Sequence, residues 1–543
     1  METGMQTVHK VRSVRPVGTR AVLAELDGMQ DVLALQSLLA ASPLPGQLDV
    51  LAAAETVMVV AESAAAARAI GSRLLGLELE GPVENDSALV VIDTVYDGED
   101  LAEVAELTGL GVDGVIAAHT GQLWTVAFAG FAPGFAYMVG ENQLLEVPRR
   151  PTPRTAVPAG SVALAGNYSA VYPRRSPGGW QLIGRTAARM WDLDRAQPAL
   201  VRPGDRVRYR AVRELVEVAQ APVSAAAEPS TGIRIVASGA LSLIQDLGRR
   251  GHGGLGVSAA GALDRASIRR ANRLVGNAST AAAIETVNGG LAIQAVGDQV
   301  IAVAGAPSSL TITPPSDAFS DDDDCGPAGH PRTVEMATPF ALLDGETLTI
   351  GAPEAGFRSY LAVRGGAELP AVLGSRSTDT LSGIGPAPLA AGQLLAVGQD
   401  TASTAVGNPE LQPDFPEPGS VTVLDIVPGP RDDWFDPAEL ESLCSQEWQV
   451  TPQSNRVGMR LAGEPLKRSR EGELPSEGTM AGAIQIPPAG LPVLFLADHP
   501  ITGGYPVIAV VIDEHLDRAA QVPIGGSIRF RVSPASGTKE VSK

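Results

Sequence analysis

Residues 158–186 read PAGSVALAGNYSAVYPRRSPGGWQLIGRT. Short β-like runs, Ser161–Ala165, Ala170–Tyr172 and Trp180–Ile183, alternate there with Pro and Gly turns. That is the pattern of strands joined by tight turns in a β-rich fold. Six side chains suited to a polar ligand fall in the same stretch: Tyr172, Arg174, Arg175, Ser176, Gln181 and Arg185. Gly178 and Gly179 let the backbone approach a ligand closely, because glycine has no Cβ. The stretch reads as one wall of a small-molecule site.

From Gln122 to Tyr209 no helical period is visible, and strand-like runs sit between Pro and Gly, as in a barrel or sandwich. Arg202–Asp205 forms a turn before a closing strand, Arg206–Tyr209. Residues 1–85 instead alternate strands (Ala21–Leu26, Thr56–Val60) with helices (Met29–Ala41, Ser63–Leu75), an α+β module. The β-rich domain then spans 86–212, opening on a strand, Ala88–Asp93, and two short helices, Asp100–Thr108 and Gly111–His119. Residues 213–231 contain AQAPVSAAAEPST and read as an Ala/Pro-rich linker. A second β-rich region follows over 232–534, with a helix at Asp264–Val275 and a Pro-rich connection at 401–418 that divides it into two lobes. The acidic run Asp321–Asp324 reads as a solvated loop, and 535–543 as a disordered tail. The chain is thus mainly β with α+β, and its two β-rich halves can share an architecture without sharing sequence.

The length of 543 residues suits two to four domains, and 44% hydrophobic with 19% charged residues is an ordinary globular composition. A formal charge of −20 repels nucleic-acid phosphates and anionic lipid, so neither nucleic acid nor membrane is an expected partner. Cys325 and Cys444 are too few for a disulfide framework or zinc site and read as reduced thiols. The N-terminus lacks a signal-peptide core, and the apolar run Leu51–Ala64 is broken by Glu55 and Glu62, so the chain reads as cytoplasmic. The six histidines are scattered and no H-E-x-x-H occurs, so no metal site is expected. Neither a Walker-type loop nor a G-x-S-x-G elbow is present. None of the four lysines stands in an A-M-K-M biotin setting.

Candidate chemistry has a plain structural alternative at each point. FAGFAPGFAYM (Phe128–Met138) offers aromatics around a Pro-Gly turn, as a floor for a flat ligand or as packed core. His119 suits proton transfer near neutrality, or a structural role. PRRPTPRT (Pro148–Thr155) holds three arginines, including Arg154, for anion capture or for solvent. Asp264 stands where a helix N-cap would. Asp246 and Arg249, Asp379 in LGSRSTD, Asn455 and Arg456 in SNRVGMR, Gln485 in GAIQIP and Tyr505 in TGGYP each sit in polar or Gly-rich loops.

Together these motifs carry a resemblance. YDGEDL (96–101), His119, GFAPGFAYM (130–138), PRRPTPRTAVPAGSVALAG (148–166) and YPRRSPGGWQLIGRT (172–186) resemble the allophanate hydrolase subunit 1 family, which includes the B subunit of bacterial 5-oxoprolinase and a kinase-inhibitor protein. QDLGRRG (245–251), GVSAAGALD (256–264), ANRLVGN (271–277), RSYLAVRGG (358–366), LGSRSTD (373–379), SNRVGMRLAG (454–463), GAIQIP (482–487) and TGGYP (502–506) resemble the allophanate hydrolase subunit 2 family, which includes the C subunit of 5-oxoprolinase. The chain looks like a fusion of the two, and the same pair of modules occurs in urea carboxylase.

The resemblance implies cyclophilin-like β-barrels in both halves and ATP-dependent opening of 5-oxoproline to glutamate. It also implies a separate partner, the A subunit of 5-oxoprolinase, with ATP and Mg²⁺ as substrate complex and no tightly bound metal. It assigns His119, Asp246, Asp264 and Gln485 to catalysis. Arg154, Tyr172, Arg174, Ser176, Gln181, Arg185, Arg249, Arg358, Asp379, Asn455, Arg456 and Tyr505 fall to substrate or nucleotide. Two other readings stay open: a carboxyltransferase-like component acting on urea or another amide with biotin in trans, and a regulator of a histidine kinase. A homo-oligomer built by first-half to second-half contacts is a further possibility. The family motif more often has Ser where Ala260 stands, and the Asn167–Ala170 segment also departs from it, which points to a ligand loop of altered shape.

Overall fold

In the strand Ala21–Glu25, Val22 and Ala24 join one apolar cluster, while Ala21 and Leu23 join another. The neighbouring strand Thr56–Ala61 divides in the same way, Val57 and Val59 against Met58. Side chains of a strand alternate between faces, so a continuous apolar run marks a sheet covered on both. In this protein, seen in a computed structural model that describes residues 9–79, 88–215, 230–315, 330–399, 401–403, 405–472 and 474–533, both faces are indeed covered. One face carries the helices Met29–Ala41 and Ala64–Leu74 and meets the first β-barrel, and the other face meets a second barrel. The four-stranded N-terminal sheet is a wedge between the two. The Ala/Pro linker up to Pro229, the acidic run Asp321–Asp324, Cys325 and the tail lie outside the described residues.

The barrels share one topology. In spatial order the first runs Gln181–Arg185, Ser161–Ala165, Tyr168–Val171, Ala136–Gly140, Trp124–Ala129, Arg206–Ala211, Leu89–Thr94, and a bridge from Val95 to Arg185 joins its ends. The second, in the same order, runs Val507–Val511, Ala483–Gln485, Val493–Phe495, Gly458–Ala462, Trp448–Val450, Ser527–Val532, Val421–Pro428, and closes. In each, the strands that come first and last along the chain pair in parallel, Leu89–Thr94 with Arg206–Ala211 and Val421–Pro428 with Ser527–Val532. Each parallel seam carries a bidentate ion pair: Arg210 to Asp93 at 2.6 and 2.8 Å, and Arg531 to Asp425 at 2.6 and 3.0 Å. Each barrel also has a buried tryptophan whose indole N–H donates to the carbonyl five residues earlier, Trp124 to His119 at 3.0 Å and Trp448 to Leu443 at 2.9 Å. The β-barrel expected in each half is thus present, and the two share one strand order.

Between the barrels in sequence, Gly232–Ser238 begins two further sheets that enclose their own core of Ile235, Ile293, Val303 and Leu361. The helix Arg265–Leu274 packs on them through Ile268, Ala271 and Leu274. A helix at Pro437–Ser445, started by Pro at its first turn, was not expected from the sequence. Among the described residues no helix is long and apolar enough to cross a membrane.

Candidate functional site at the junction of the two halves

The Gly130–Phe135 turn brings the first barrel against the second. Phe131 takes φ 63°, a costly conformation for a bulky residue, and its N–H donates to Thr502 Oγ1 at 3.2 Å. A Cβ on Gly130 would stand 2.3 Å from the same oxygen, so glycine is required for the contact. The aromatics beyond the turn are packed core: Phe135 meets Tyr172 and Trp180 edge-to-face at 5.2 and 5.3 Å. All of these rings, with Tyr137, are buried.

Behind this cluster, the strand Arg154–Val157 pairs with Ser176–Gly178 and joins the two arginine-bearing loops. Asp100 neutralises one of them, accepting from Arg150 at 2.6 Å, Arg154 at 2.7 Å and the Leu182 amide at 2.7 Å. Four polar atoms in this small region are buried without a hydrogen-bond partner among the described residues: Arg150 Nε, Arg154 Nη1, Ser176 Oγ and Gln181 Oε1. Each such atom costs about 1–3 kcal/mol, so a cluster of them marks unfilled capacity for a polar ligand.

Asp379 lies near where Arg174 of the first half approaches the second. Its carboxylate accepts from Ser258 Oγ at 2.8 Å and from the amides of Leu381 and Ser382, both at 2.9 Å. Its field reaches Arg174 of the first half, Arg249, and His499 of the second barrel. Arg174 extends to Gly383, where an added Cβ would lie 2.8 Å from its Nη1. Arg249 is buried with Nη1 unpartnered, and burial lowers its pKa while Asp379, Asp246 and Asp498 oppose the shift. Asp246 braces the loop that carries Asp379: it accepts from Ser375, Ser377 and the Arg376 amide, each at 2.6 Å.

His499 was missed by sequence reasoning, since Asp498-His499 in a loop has no periodicity and only tertiary folding brings it to Asp379. Its Nδ1 lies 2.9 Å from the Pro500 carbonyl. A carbonyl can only accept, so Nδ1 carries the proton and Nε2 keeps the lone pair. The ring stacks on Phe495 at 5.8 Å and lines a cavity of about 320 Å³ between the N-terminal module and the second half.

Other predicted residues lie elsewhere. His119 is fully enclosed in the first barrel, with Nδ1 2.7 Å from Tyr96 OH and Nε2 2.9 Å from Ser169 Oγ. Burial pushes its pKa down to about 3, which makes it a neutral core group. The Asn167–Ala170 segment, read as a ligand loop, supplies this Ser169 from within the strand Tyr168–Val171. Asp264 caps its helix through the Ser267 amide at 2.8 Å and holds Gln521 at 2.7 Å. Arg358 and Arg456 belong to a buried network with Glu285 and Asp498. Arg185 pairs with Asp97 at 2.8 Å on the surface, and Asn455 turns its own loop through the Val457 amide. Gln485 donates to the Tyr505 carbonyl at 3.1 Å beside the Thr502 turn, and the Tyr505 side chain is exposed.

Two barrels of one topology, wedged on an α+β module and meeting at a polar junction, define a two-module β-barrel protein. The sequence profile for the carboxyltransferase domain, subdomain A and B, matches residues 255–532, and that for subdomain C and D matches 12–201. The chain belongs to this carboxyltransferase-domain family. Its second half is 35% identical over 304 residues to the C subunit of 5-oxoprolinase from Escherichia coli K12, covering 55% of this chain and 90% of that one. A stretch of 130 residues is 45% identical to the B subunit of 5-oxoprolinase from Escherichia coli O157:H7, covering 23% of this chain and 60% of that one. The crystal structure of TTHA0988 superposes with a TM-score of 0.81 at 33% identity, covering 94% of this chain and 100% of that one. One polypeptide therefore joins a part similar to the B subunit and a part similar to the C subunit.

Proposed function

We propose that the chain is the fused B and C component of an ATP-dependent 5-oxoprolinase that opens 5-oxoproline to glutamate together with a separate A subunit. The observation that carries this reading is that stretches similar to the B and C subunits stand in one chain. Arg174 of the first half and Arg249 of the second also both lie within the field of Asp379.

The lactam resists water because of amide resonance. Phosphoryl transfer from ATP, as its Mg²⁺ complex, to the amide oxygen removes that resonance. Water then adds to the amide carbon, and the C–N bond breaks as nitrogen takes a proton. A second water releases phosphate from the resulting acyl phosphate, leaving glutamate, ADP and phosphate. Arg174 and Arg249 suit the developing oxyanions. Ser176 Oγ and Gln181 Oε1 have free capacity to orient the lactam. His499 Nε2 suits proton removal from the attacking water.

The test mixes the purified chain with a homologue of the A subunit, ATP, Mg²⁺ and 5-oxoproline and follows glutamate. Glutamate that requires both proteins and ATP supports the reading. No glutamate from folded, associated proteins overturns it for this substrate. A second reading, carboxyl transfer to urea or another amide from biotin supplied in trans, is favoured by the family's carboxyltransferase description. Carboxylation of urea by a carboxybiotin carrier in the presence of this chain would establish it.

A further inference from the structure

The cavity beside His499 has a second feature that the chemistry above does not use. Arg20, Arg250, Arg265 and Arg269 all line it. Arg20 is engaged by Asp513 at 2.6 Å. The other three guanidiniums have no carboxylate within ion-pair distance among the described residues. Four acids share the wall, and two of them spend their oxygens on backbone amides while keeping their charge. Asp517 accepts from the amides of Arg265 at 2.7 Å and Ala266 at 3.2 Å, and Asp49 from those of Gly251 at 3.0 Å and Gly253 at 3.1 Å. Glu514 alone among these acids has neither kind of partner among the described residues.

Three guanidiniums gathered on one wall repel one another, and the four lining carboxylates offset that repulsion without forming an ion pair with any of the three among the described residues. Burial, joined by Arg250 and Arg269, lowers the pKa of Arg265 to about 10 against the pull of Asp517 and Asp513. A fold tolerates such a cluster cheaply when an anion fills it. Three forks exceed what a single carboxylate, with its two oxygens, can engage, and they match a chain of phosphates. The remaining wall is apolar, with Leu51, Val60, Leu263, Met480, Leu496 and Leu516, and suits the flat body of a base.

We propose that this cavity is a polyphosphate site that seats the phosphates of a nucleotide on Arg250, Arg265 and Arg269. The choice of a nucleotide rests on the ATP-dependent reading above. The site also places the phosphates in the same cavity as His499.

The test measures binding to the whole chain by calorimetry, with inorganic triphosphate, ATP and 5-oxoproline as separate probes and no turnover required. Arg250 and Arg269 are exposed, so R250E and R269E leave the core untouched. Arg208, exposed on the outside of the first barrel, supplies the control R208E. Triphosphate and ATP should bind the native chain, and R250E/R269E should weaken both by about tenfold or more while R208E does not. ATP binding tighter than triphosphate identifies the base-seating wall. No triphosphate binding, binding indifferent to R250E/R269E, or displacement of the site's preference to 5-oxoproline overturns the proposal. The two readings fail separately. Triphosphate binding that depends on these arginines in a complex that makes no glutamate would sink the oxoprolinase reading and leave the site standing. Glutamate formation with an ATP KM unchanged by R250E/R269E would do the reverse.

Discussion

The guanidinium of Arg456 holds the carboxylate of Asp498 through two parallel hydrogen bonds of 3.0 Å, both groups buried. The same guanidinium reaches Glu285 and the Gly261 carbonyl, so one side chain of the second barrel ties down the preceding sheets. Asp498 in turn accepts from the Thr380 amide at 2.9 Å and hydroxyl at 2.7 Å, immediately beside Asp379. Arg456 is therefore a brace beneath the junction rather than a group that meets ligand.

Removing one member of a buried ion pair leaves an uncompensated charge and typically costs about 3–5 kcal/mol. R456M should lower the stability of the chain by that amount in urea unfolding. D498N in the R456M background should recover part of the loss, because one of the two carboxylates that Arg456 pairs is then uncharged. A loss of roughly 1 kcal/mol or less, the size of a surface change, would show that the pair is dispensable.

His499 carries the prediction for catalysis. Burial lowers its pKa, while the Pro500 carbonyl and Asp379 oppose the shift. The neutral ring with a free Nε2 therefore persists below the ordinary histidine value of about 6.5. Activity of the reconstituted complex should hold through neutrality and fall on an acid limb below that value. H499N should cut kcat by about 10²–10⁴ and flatten the acid limb, with the unfolding midpoint little changed. An unaltered pH profile would remove His499 from the reaction.

His119 should behave in the opposite manner. Its folded pKa of about 3 lies below the unfolded value of about 6.5. Between these limits the unfolded chain binds the extra proton, so stability is fully present above pH 6.5 and is lost as pH falls toward 3. The whole shift corresponds to at most about 4–5 kcal/mol. Imidazole ¹⁵N shifts of His119 should show a neutral ring at pH 5, and H119Q should reduce stability at pH 7 while sparing turnover. A ring that titrates near 6.5 in the folded protein contradicts this.

The first half was legible because its signals are local. The helices Met29–Ala41 and Gly111–Thr120 show apolar faces and stops, and the strand Ser161–Ala165 is an unbroken run between turns. The helix Arg265–Leu274 announced itself by its cap, Asp264, whose carboxylate does accept from the Ser267 amide. The junction was only half legible. Arg174, Arg249 and Asp379 lie in polar loops that a sequence displays, but their meeting depends on contacts between residues some 200 positions apart, as with Arg174 and Gly383. A barrel in each half was expected and is present, but the strand order the two share is not visible in the sequence, because the ion pair and the tryptophan that repeat stand among different neighbours. His119 misled for a physical reason: the residue type suited to proton transfer near neutrality is equally able to close a buried hydrogen-bond chain.

The wedge between the barrels is pinned by Arg431, which is buried and bonds Glu25 of the N-terminal sheet at 2.5 Å as well as Glu477. Burial alone would raise the pKa of Glu25, but the hydrogen bonds from Ser13 and Arg431 outweigh it and bring the value to about 2. The folded value lies below the unfolded one, so this contribution is present above about pH 4.5 and disappears as pH falls toward 2, at most about 3 kcal/mol. R431M strands two carboxylates at the interface and should cost about 3–5 kcal/mol at neutral pH. The loss should concentrate in the N-terminal module. Hydrogen exchange should speed up in Ala21–Glu25 and Thr56–Ala61 while the second barrel's Val507–Val511 stays protected. Uniform loss of protection across all three strands would mean that the wedge and the barrels unfold as one unit, and that Arg431 is not a separable clamp.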